Sequence, residues 1–379
     1  MAALPAWAVY APIPEQEQGK DLTVTLAAAL SHDTNIFGSA NGAIASDVYE
    51  FSPKIAYNAS LTDQTFLSLS YKLTLDHFTD RPGEKNLDSH DLSARVAHAF
   101  SSATTIDLID SYQIARNPES LLNGLPVNAD QSLKHNEFDA NFATTITAKT
   151  GVTVKARTAD YQYRSATLGR SLDRIENLYG LAGDYAFLPE TKLVGEVRHQ
   201  DVFYSKLGEI KNKFSDYLMG GADYAVAKKL TASGRAGVEW RHRDAERSTT
   251  APYVELSVKY DYVEGSFLTA GYVHTLEESS DTTRFTDTLV NRFFVNLQHK
   301  LTALIAVSGS LTYEPSQLEG RRGQVNINED TLRAGFALSY LPTKHWTISL
   351  SYDNDRVNSD DPGRNLRRER VGANAIYTF

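Results

Sequence analysis

The chain ends in the stretch VGANAIYTF (Val371 to Phe379), in which apolar residues alternate one by one with small or polar residues. Val371, Tyr377 and Phe379 belong to the apolar row. A period of two is that of a β-strand with one apolar and one polar face. Because the last residue is aromatic and has a second aromatic two positions before it, the stretch is typical of a strand that crosses a bilayer and ends in an aromatic belt at the interface.

The same alternation runs through most of the chain. In the segment from Thr65 to Phe78, one face carries Leu67, Leu69, Tyr71, Leu73 and Leu75, and the other carries Ser68, Ser70, Lys72, Thr74 and Asp76. We find about 18 such segments between residues 21 and 379, an even number that would bring both chain ends to the same side of a closed barrel. No stretch is left over for a second domain.

The predicted connections alternate between short and long. Those after even-numbered strands are brief, such as 150–151 and 228–229. Those after odd-numbered strands are long and charged: 79–90, 116–136, 279–286, 317–328 and 357–367. Short turns on one side and long loops on the other are the usual asymmetry of outer-membrane barrels, whereas a solenoid or propeller would keep a fixed period.

Aromatic residues cluster at both ends of the predicted strands. Tyr57, Tyr185 and Trp346 lie beside short turns, while Tyr49 and Trp240 lie at the opposite ends. The core aromatics of a β-sandwich would lie mid-strand instead. The sequence therefore predicts an all-β fold: a transmembrane antiparallel up-and-down β-barrel of about 18 strands, in which Tyr377 and Phe379 belong to the belt at the periplasmic interface.

Three places fit this pattern poorly. Asp110 shares a face with apolar neighbours, which would point a carboxylate toward lipid. The phase changes between Arg157 and Tyr161, which predicts a β-bulge. The tenth strand, with Gly220 and Gly221, has no clean alternation.

Composition excludes several classes of protein. The 379 residues carry 38 basic and 47 acidic side chains, a net charge of −9, which argues against nucleic-acid binding. The absence of cysteine excludes disulfides and thiolate metal sites. No apolar run reaches the roughly 18 residues of a transmembrane helix.

The first twenty residues, MAALPAWAVYAPIPEQEQGK, precede the alternating pattern. Ala6-Trp7-Ala8 resembles the small-residue cleavage site of an export signal, and Pro12 and Pro14 indicate irregular structure. We interpret residues 1–20 as a signal remnant and periplasmic lead-in, and residues 21–379 as one barrel.

The face opposite the apolar one is expected to line the lumen, which in a barrel of this width is filled with water. Its charged side chains form a mixed wall suited to a polar, anionic or neutral solute. Few aromatics, such as Phe294, are predicted to face inward. Equally, these charges could pair with one another and only stiffen the wall. The predicted lumen-lining residues are Lys54, Lys72, Asp76, Arg95, Lys155, Arg157, Glu196, Arg198, Arg235, Glu239, Arg241, Glu255, Lys259, Arg292 and Arg333.

Motifs for catalysis or cofactors are missing from the sequence. His199 and Asp201 lie near a barrel mouth, where some barrel proteases place such pairs, but no second acidic pair accompanies them. The aspartates at 353, 355, 360 and 361 lack the glycine and terminal glutamate of a calcium loop. We expect no catalytic residue, no cofactor and no metal.

The segments SHDTNIF (Ser31 to Phe37) and SDVYEFSPKIAYNASL (Ser46 to Leu61), followed by the Leu- and Tyr-rich Thr65 to Phe78, resemble the exopolysaccharide-operon outer-membrane barrels, a family labelled putative β-barrel porin type 2. The resemblance covers the first 110 or so residues best. It implies a wide barrel of about 18 strands that helps secreted polysaccharide leave the cell, with no catalytic residues. The C-terminal Tyr377 and Phe379 resemble the signature that the bacterial barrel-assembly machinery recognises.

The resulting hypothesis is an integral protein of the bacterial outer membrane, with both termini periplasmic, that forms a channel for exopolysaccharide export. Its expected partners are outer-membrane lipid and lipopolysaccharide, the barrel-assembly machinery and periplasmic polysaccharide-export proteins. The alternatives are a general or sugar-selective diffusion porin, whose inward-folded constriction loop would be 116–136, and a non-conducting structural or adhesion barrel.

Overall fold

Strands make up most of the computed structural model, which describes residues 21–116, 132–279 and 281–379. Within them, eighteen strands form one antiparallel sheet. The strands are β1 (Leu22–Asp33), β2 (Ser46–Thr62), β3 (Thr65–Phe78), β4 (Asn86–Ala99), β5 (Thr104–Ala115), β6 (Leu133–Thr147), β7 (Thr150–Tyr163), β8 (Arg174–Leu188), β9 (Thr191–Tyr204), β10 (Lys213–Ala227), β11 (Leu230–Arg243), β12 (Thr249–Val263), β13 (Ser266–Glu278), β14 (Phe285–Lys300), β15 (Ile305–Gly320), β16 (Ile327–Tyr340), β17 (Trp346–Ser359) and β18 (Leu366–Thr378). Two short helices, α1 (Ala166–Leu172) and α2 (Gly208–Lys211), and one 3-10 turn (Pro362–Arg364) lie in connections.

The sheet closes on itself. Each strand pairs with the next one in sequence, and β1 pairs with β18 over the register from Thr25 opposite Thr378 to Asp33 opposite Arg370. Closure leaves no strand edge with unpaired backbone groups, which is the condition for a sheet inside a bilayer. The fold is therefore the predicted up-and-down barrel of about 18 strands, and that prediction is confirmed.

The two ends of the barrel differ in their connections. Even-numbered strands are followed by turns of two to five residues, such as 63–64 and 341–345, and we call this the short-turn end. Odd-numbered strands are followed by connections of five residues or more at the opposite, long-loop end. The start of β1 and the end of β18 both lie at the short-turn end, because Leu22 pairs with Tyr57 and Trp346 with Tyr377.

The outer face of the barrel is apolar because the strand registers align the alternating patterns. Leu67 on β3 lies opposite Val96 on β4, which in turn lies opposite Leu108 on β5. Side chains of this row are exposed around the ring, among them Phe51 and Leu350. A continuous exposed apolar band of this kind is the lipid-facing surface of a membrane barrel.

Aromatic side chains border this band at both ends. Tyr57 and Tyr185 are exposed beside short turns, and Tyr49 and Trp240 are exposed toward the long loops. At the C-terminus, the ring of Tyr377 lies 4.9 Å from Trp346 and 4.7 Å from Phe379. Interfacial aromatics anchor a barrel at the depth where the bilayer becomes polar.

The places where the sequence fits the strand alternation poorly differ from one another in the structure. Asp110 faces outward as its phase predicts, and Asn136 Nδ2 donates a hydrogen bond of 2.9 Å to its carboxylate. The bulge predicted between Arg157 and Tyr161 is wrong, because β7 keeps continuous register with both neighbours through this stretch. The tyrosine simply faces inward, so no phase change is needed.

The backbones of β10 and β11 approach each other closely at their glycines. A Cβ atom at Gly237 would lie 2.0 Å from the carbonyl oxygen of Leu218, so only glycine allows the two backbones to approach this way. Gly221, on the neighbouring strand, would bring a Cβ 1.9 Å from the Gly234 oxygen. On the tenth strand Gly221 faces inward and Gly220 faces outward, so neither position carries a side chain that would mark its face.

Helices play almost no part in the fold. Among the described residues, none of the helices is long and apolar enough to cross a membrane. The interpretation of residues 1–20 as a signal remnant and lead-in falls outside the described residues, as do residues 117–131 of the loop that was expected to form a constriction.

Candidate functional site: the lumen and its mouth at the long-loop end

The charged side chains predicted to line the lumen all lie on the inner face of the sheet. The register places Lys54, Arg95 and Glu255 on the face opposite the apolar band, and the other members of the set follow the same parity. This face is concave, because Arg198 on β9 reaches the hydroxyl of Tyr253 on β12 at 3.5 Å, three strands away. That these residues contact a passing solute remains a prediction.

Many of these charges pair with one another along the wall. Arg95 donates two hydrogen bonds to Asp107, at 2.9 and 2.8 Å. Glu196 accepts hydrogen bonds from Lys155 at 3.1 Å and from Arg198 at 2.8 Å. Such pairs supply a hydrophilic surface whose opposite charges largely cancel, unlike the single-sign ring of an ion-selective filter.

Further pairs continue this pattern on the other strands. They are Arg235 with Asp223 at 2.8 Å, Lys259 with Asp261 at 3.0 Å, Arg241 with Glu239 at 2.8 Å, and Arg292 with Glu314 at 2.5 Å and with Glu277 at 3.1 Å. Glu255 accepts a hydrogen bond from the hydroxyl of Tyr253 at 2.9 Å. Between β2 and β3, Lys54 lies opposite Lys72 and Glu50 lies opposite Asp76. On other strands, Arg157 lies opposite Asp139 and Arg333 lies opposite Asp355.

At the long-loop end, a buried cluster of charges joins strands that are not neighbours. Asp287 at the start of β14 is fully buried and accepts hydrogen bonds from Lys213 at 2.6 Å, from Arg241 at 2.5 Å and from Arg243. Glu278, at the end of β13, binds Lys213 at 2.8 Å. The tip of the β13–β14 hairpin therefore leans across the mouth onto the inner faces of β10 and β11.

The connection between β7 and β8, residues Arg164–Asp173, also folds inward; we call it the α1 loop. Its helix buries Leu168 and Leu172 against Tyr161, Tyr163 and Ala159, side chains of the inner face of β7. The hydroxyl of Ser165 accepts a hydrogen bond from the amide of Leu168 at 3.5 Å, which caps the helix start. The loop thus occupies lumen space next to the wall.

Other outer loops meet the α1 loop. The carbonyl oxygen of Ser171 accepts hydrogen bonds from Lys211 Nζ at 3.0 Å and from the hydroxyl of Thr282 at 2.9 Å. Arg321 donates to the carbonyl oxygens of Thr282 at 2.8 Å and Ile210 at 3.2 Å. Four connections of the long-loop end are therefore hydrogen-bonded to one another.

The electrostatics of this meeting point are set by burial. Burial lowers the pKa of Lys211 to about 8, and the nearby charges of Arg321 and Arg170 act in the same direction. Burial would raise the pKa of Asp281, but hydrogen bonds from Thr283 and Arg284 outweigh it, and the pKa lies below the usual range. Asp281 is therefore an anion at neutral pH, whereas Lys211, with a pKa of about 8, loses its proton just above neutral pH.

The expectation that few aromatics face inward is wrong. The inner face carries five buried tyrosines on β7, β9, β10 and β12: Tyr161, Tyr163, Tyr204, Tyr217 and Tyr253. Tyr161 stacks on His135 at 4.3 Å and under Arg174 at 4.1 Å, and Tyr217 packs edge-on against Tyr253 at 5.9 Å. Strict alternation from Arg157 places Tyr161 on the inner face, as the register shows.

The candidate catalytic pair lies outside the lumen. His199 faces the outer side of the barrel, where Nδ1 lies 2.7 Å from Asp216 and Nε2 lies 3.2 Å from Asp201. Asp361 accepts a hydrogen bond from Arg284 at 2.8 Å, and Asp355 binds Arg370 at 3.4 Å. Among the described residues, no group of three or more His, Asp or Glu is arranged to hold a metal ion.

Comparison with known proteins places the fold. No curated protein matches the sequence. The crystal structure of the outer membrane protein OpdK from Pseudomonas aeruginosa is similar with a TM-score of 0.50 at 12% identity, covering 95% of this chain and 98% of that one. The FrpB iron transporter from Neisseria meningitidis, in its apoprotein form, has a TM-score of 0.50 at 8% identity, with 95% and 81% covered. At these identities the likeness concerns the fold alone, which is that of outer-membrane barrels.

The sequence itself matches a family model over the whole barrel. The model described as "Putative beta-barrel porin 2" covers residues 22–379, from the first residue of β1 to the C-terminal phenylalanine. The closed antiparallel ring, its apolar outer band and its hydrophilic inner face agree with that match. The chain therefore belongs to the Putative beta-barrel porin 2 family, and it is an outer-membrane barrel of the porin type.

Proposed function

We propose that this barrel is the outer-membrane channel through which a secreted polysaccharide leaves the cell. The observation that carries the proposal is the outer mouth, where four long-loop connections are hydrogen-bonded across the lumen through Ser171, Thr282 and Arg321. A pore that serves export has reason to stay closed until its polymer arrives, whereas a diffusion porin works by remaining open.

The inner wall supports a sugar polymer as the solute. The paired charges Arg95–Asp107 and Arg198–Glu196 give a polar wall without a dominant sign, which neither traps nor repels a neutral or weakly charged chain. Tyr217 and Tyr253 pack edge-on against each other within this wall and bind Gln200 and Glu255 through their hydroxyls, so they contribute no further charge to it. We expect the termini to be periplasmic, with polysaccharide-export proteins on that side and lipopolysaccharide around the outer band.

A diffusion porin is the second candidate, and one observation favours it. The α1 loop folds against the inner wall and narrows the lumen, as a constriction loop does. Deletion of the gene in the parent bacterium separates the two functions. We expect polymer to disappear from the cell surface and to accumulate in the periplasm, with full recovery on complementation. Normal secretion combined with impaired uptake of small sugars would overturn the export proposal.

Two tyrosines of β10 make a matched pair for a sharper test. Tyr217 faces inward and donates a hydrogen bond to Gln200 at 3.2 Å, whereas Tyr224 faces outward at the short-turn end. Complementation with Tyr217→Ala should slow export, and Tyr224→Ala should leave it unchanged at equal amounts of assembled barrel. Planar-bilayer recording tests the remaining alternative, a non-conducting structural or adhesion barrel. A barrel that never conducts under any condition would support that alternative.

A further inference from the structure

The α1 loop, Arg164–Asp173, differs from the wall to which it is attached. The ladder between β7 and β8 ends where Tyr161 lies opposite Arg174. The loop meets the flanking backbone at its two ends, where Arg164 donates a hydrogen bond to the Ser132 oxygen at 2.9 Å and Asp173 accepts hydrogen bonds from the amides of Tyr163 at 2.7 Å and Ser205 at 3.0 Å. Between these ends, its residues 165–172 belong to no strand. Its own helix is two turns long and is closed at the far end by the amide of Asp173, which donates to the Gly169 oxygen. The barrel wall can therefore stay intact when this loop changes position.

Few interactions hold the loop inward. Its helix contributes Leu168 and Leu172 to an apolar cluster with Tyr161 and Tyr163. In its last turn the Leu172 carbonyl oxygen accepts a hydrogen bond from Arg174 at 3.2 Å, and the Ser171 carbonyl oxygen accepts two from other loops, at 3.0 and 2.9 Å. Both of these donors belong to side chains and would be satisfied by water if the loop moved away.

The opposite side of the mouth is held very differently. There, the β13–β14 hairpin is tied to β10 and β11 through Asp287, a buried carboxylate that binds Lys213, Arg241 and Arg243. Separating a buried carboxylate from three cations costs far more free energy than releasing the side-chain hydrogen bonds to the carbonyl oxygens of Ser171 and Leu172. Of these two inward-folded segments, the hairpin is the fixed one and the α1 loop is the one that can move.

We infer that the α1 loop is the gate of this channel, latched shut at the Ser171 carbonyl by Lys211 and Thr282. In the closed state its leucines cover the inward rings of Tyr161 and Tyr163. When the latch is released, the loop swings away from β7, the mouth widens, and the two tyrosines become part of the conducting wall. This inference goes beyond the proposed function, because it concerns the opening of the pore and holds whichever solute passes.

The chain contains no cysteine, so a reversible lock can be introduced without background. Ser171→Cys and Thr282→Cys place thiols on the two residues that meet across the latch. The full-length double variant, reconstituted in planar bilayers, is crosslinked with a short bis-methanethiosulfonate reagent and later reduced. We expect the crosslinked barrel to stay at its low-conductance level, and the reduced barrel to regain the openings that the double variant shows before crosslinking.

A matched control pair carries the same chemistry within the wall. Ser339 and Ser349 face the lumen on adjacent strands near the short-turn end, with their hydroxyl oxygens 2.8 Å apart. Crosslinking Ser339→Cys to Ser349→Cys should leave the openings unchanged, because these strands already move together. If the crosslinked and the reduced Ser171→Cys/Thr282→Cys barrels conduct equally, with the crosslink verified by mass spectrometry, the inference that the α1 loop is the gate is wrong.

A second variant tests the inference without a crosslink. Leu172→Asn removes the leucine from the cluster, and the open fraction should rise about tenfold or more, the factor expected for losing one buried leucine from the closed state. Leu172→Met keeps the apolar volume and should behave like the parent protein. An unchanged open fraction in Leu172→Asn, with the barrel assembled as judged by its heat-modifiable gel mobility, would contradict the proposed movement. These outcomes depend on conductance alone, so they are independent of the polysaccharide result.

Discussion

Asp287 on β14 accepts a hydrogen bond of 2.6 Å from Lys213 on β10, although the two strands are four positions apart in the sheet. Contacts of this reach are possible only across the concave side of the ring. Arg241 on β11 binds the same carboxylate oxygen at 2.5 Å, so the cluster braces one sector of the outer mouth. The brace holds the hairpin tip in place over the lumen.

The first prediction concerns this brace. Asp287→Asn leaves Lys213, Arg241 and Arg243 buried without their shared anion. We expect the free energy of unfolding to fall by about 3–5 kcal/mol, the usual cost of removing one partner from a buried ion pair. The measurement is urea-induced unfolding in lipid vesicles, followed by tryptophan fluorescence.

Asp223→Asn is the control for this substitution. It makes the same chemical change in the Arg235–Asp223 pair, but the side chain of Asp223 is 44% exposed. An exposed pair contributes about 1 kcal/mol or less. If both variants lower the free energy of unfolding equally, the cluster at the mouth stabilises the barrel no more than an ordinary ion pair on the wall does.

The second prediction concerns the seam where the barrel closes. Arg368 on β18 donates hydrogen bonds of 3.0 and 2.5 Å to Asp33 on β1, and both side chains are buried. Asp33→Asn should lower the share of heat-modifiable, closed barrel, because β1 and β18, the pair that closes the ring, lose their buried ionic contact. Asp47→Asn, which affects an exposed pair with His32 between β1 and β2, should have little effect. A similar loss in both variants would assign the defect to surface charge.

Local alternation was enough to predict the fold. In β18 the period of two runs without a break from Val371 to Tyr377, and a closed ring needs nothing more than this pattern repeated. The loop ends were predicted less well. The expected loop 79–90 is shorter, because Asn86 to His90 extend β4 and pair with Leu73 to His77. These residues lack the apolar alternation because they lie toward the polar end of the wall.

The interior of the mouth could not be predicted in the same way. Glu278 and Asp287 belong to one hairpin, and nothing in their neighbourhood indicates that they will meet Lys213 on β10. That contact depends on the bend of the wall and on the lean of the hairpin, which are properties of the closed ring. The inward position of Leu172 likewise depends on the tyrosines of β7, so a helical turn in a loop gave no sign of it.

The third prediction concerns pH. Lys211 is buried in the closed mouth beside Arg321, Arg170, Asp281 and the ring of Tyr204, and its pKa there is about 8. In an open mouth the ammonium group is solvated, and its pKa returns toward the ordinary 10.5. The open state therefore binds more protons between these two values, so raising the pH favours the closed state.

Open probability in planar bilayers should accordingly be constant below pH 8 and should fall as the pH rises from about 8 toward 10.5. Lys211→Gln retains a donor for the Ser171 carbonyl but carries no charge, so this part of the pH response should be absent from the variant. A rise in open probability over the same range would mean that the charged form of Lys211 is what holds the mouth closed.

The last prediction concerns the C-terminal residue. The amide of Phe379 donates a hydrogen bond of 2.9 Å to the Val24 oxygen, while its ring is 54% exposed and contacts Tyr377. One interfacial ring is a small part of the apolar surface that anchors the finished barrel, so Phe379→Ala should unfold at nearly the parent urea concentration. If Tyr377 and Phe379 form the assembly signal, the same variant should still yield much less heat-modifiable barrel in the outer-membrane fraction. Phe100→Ala removes an equally exposed ring, 57%, at the same end of the barrel and should assemble normally, since it lies outside the signal. Equal yields of the two variants would reduce Phe379 to an ordinary interfacial aromatic.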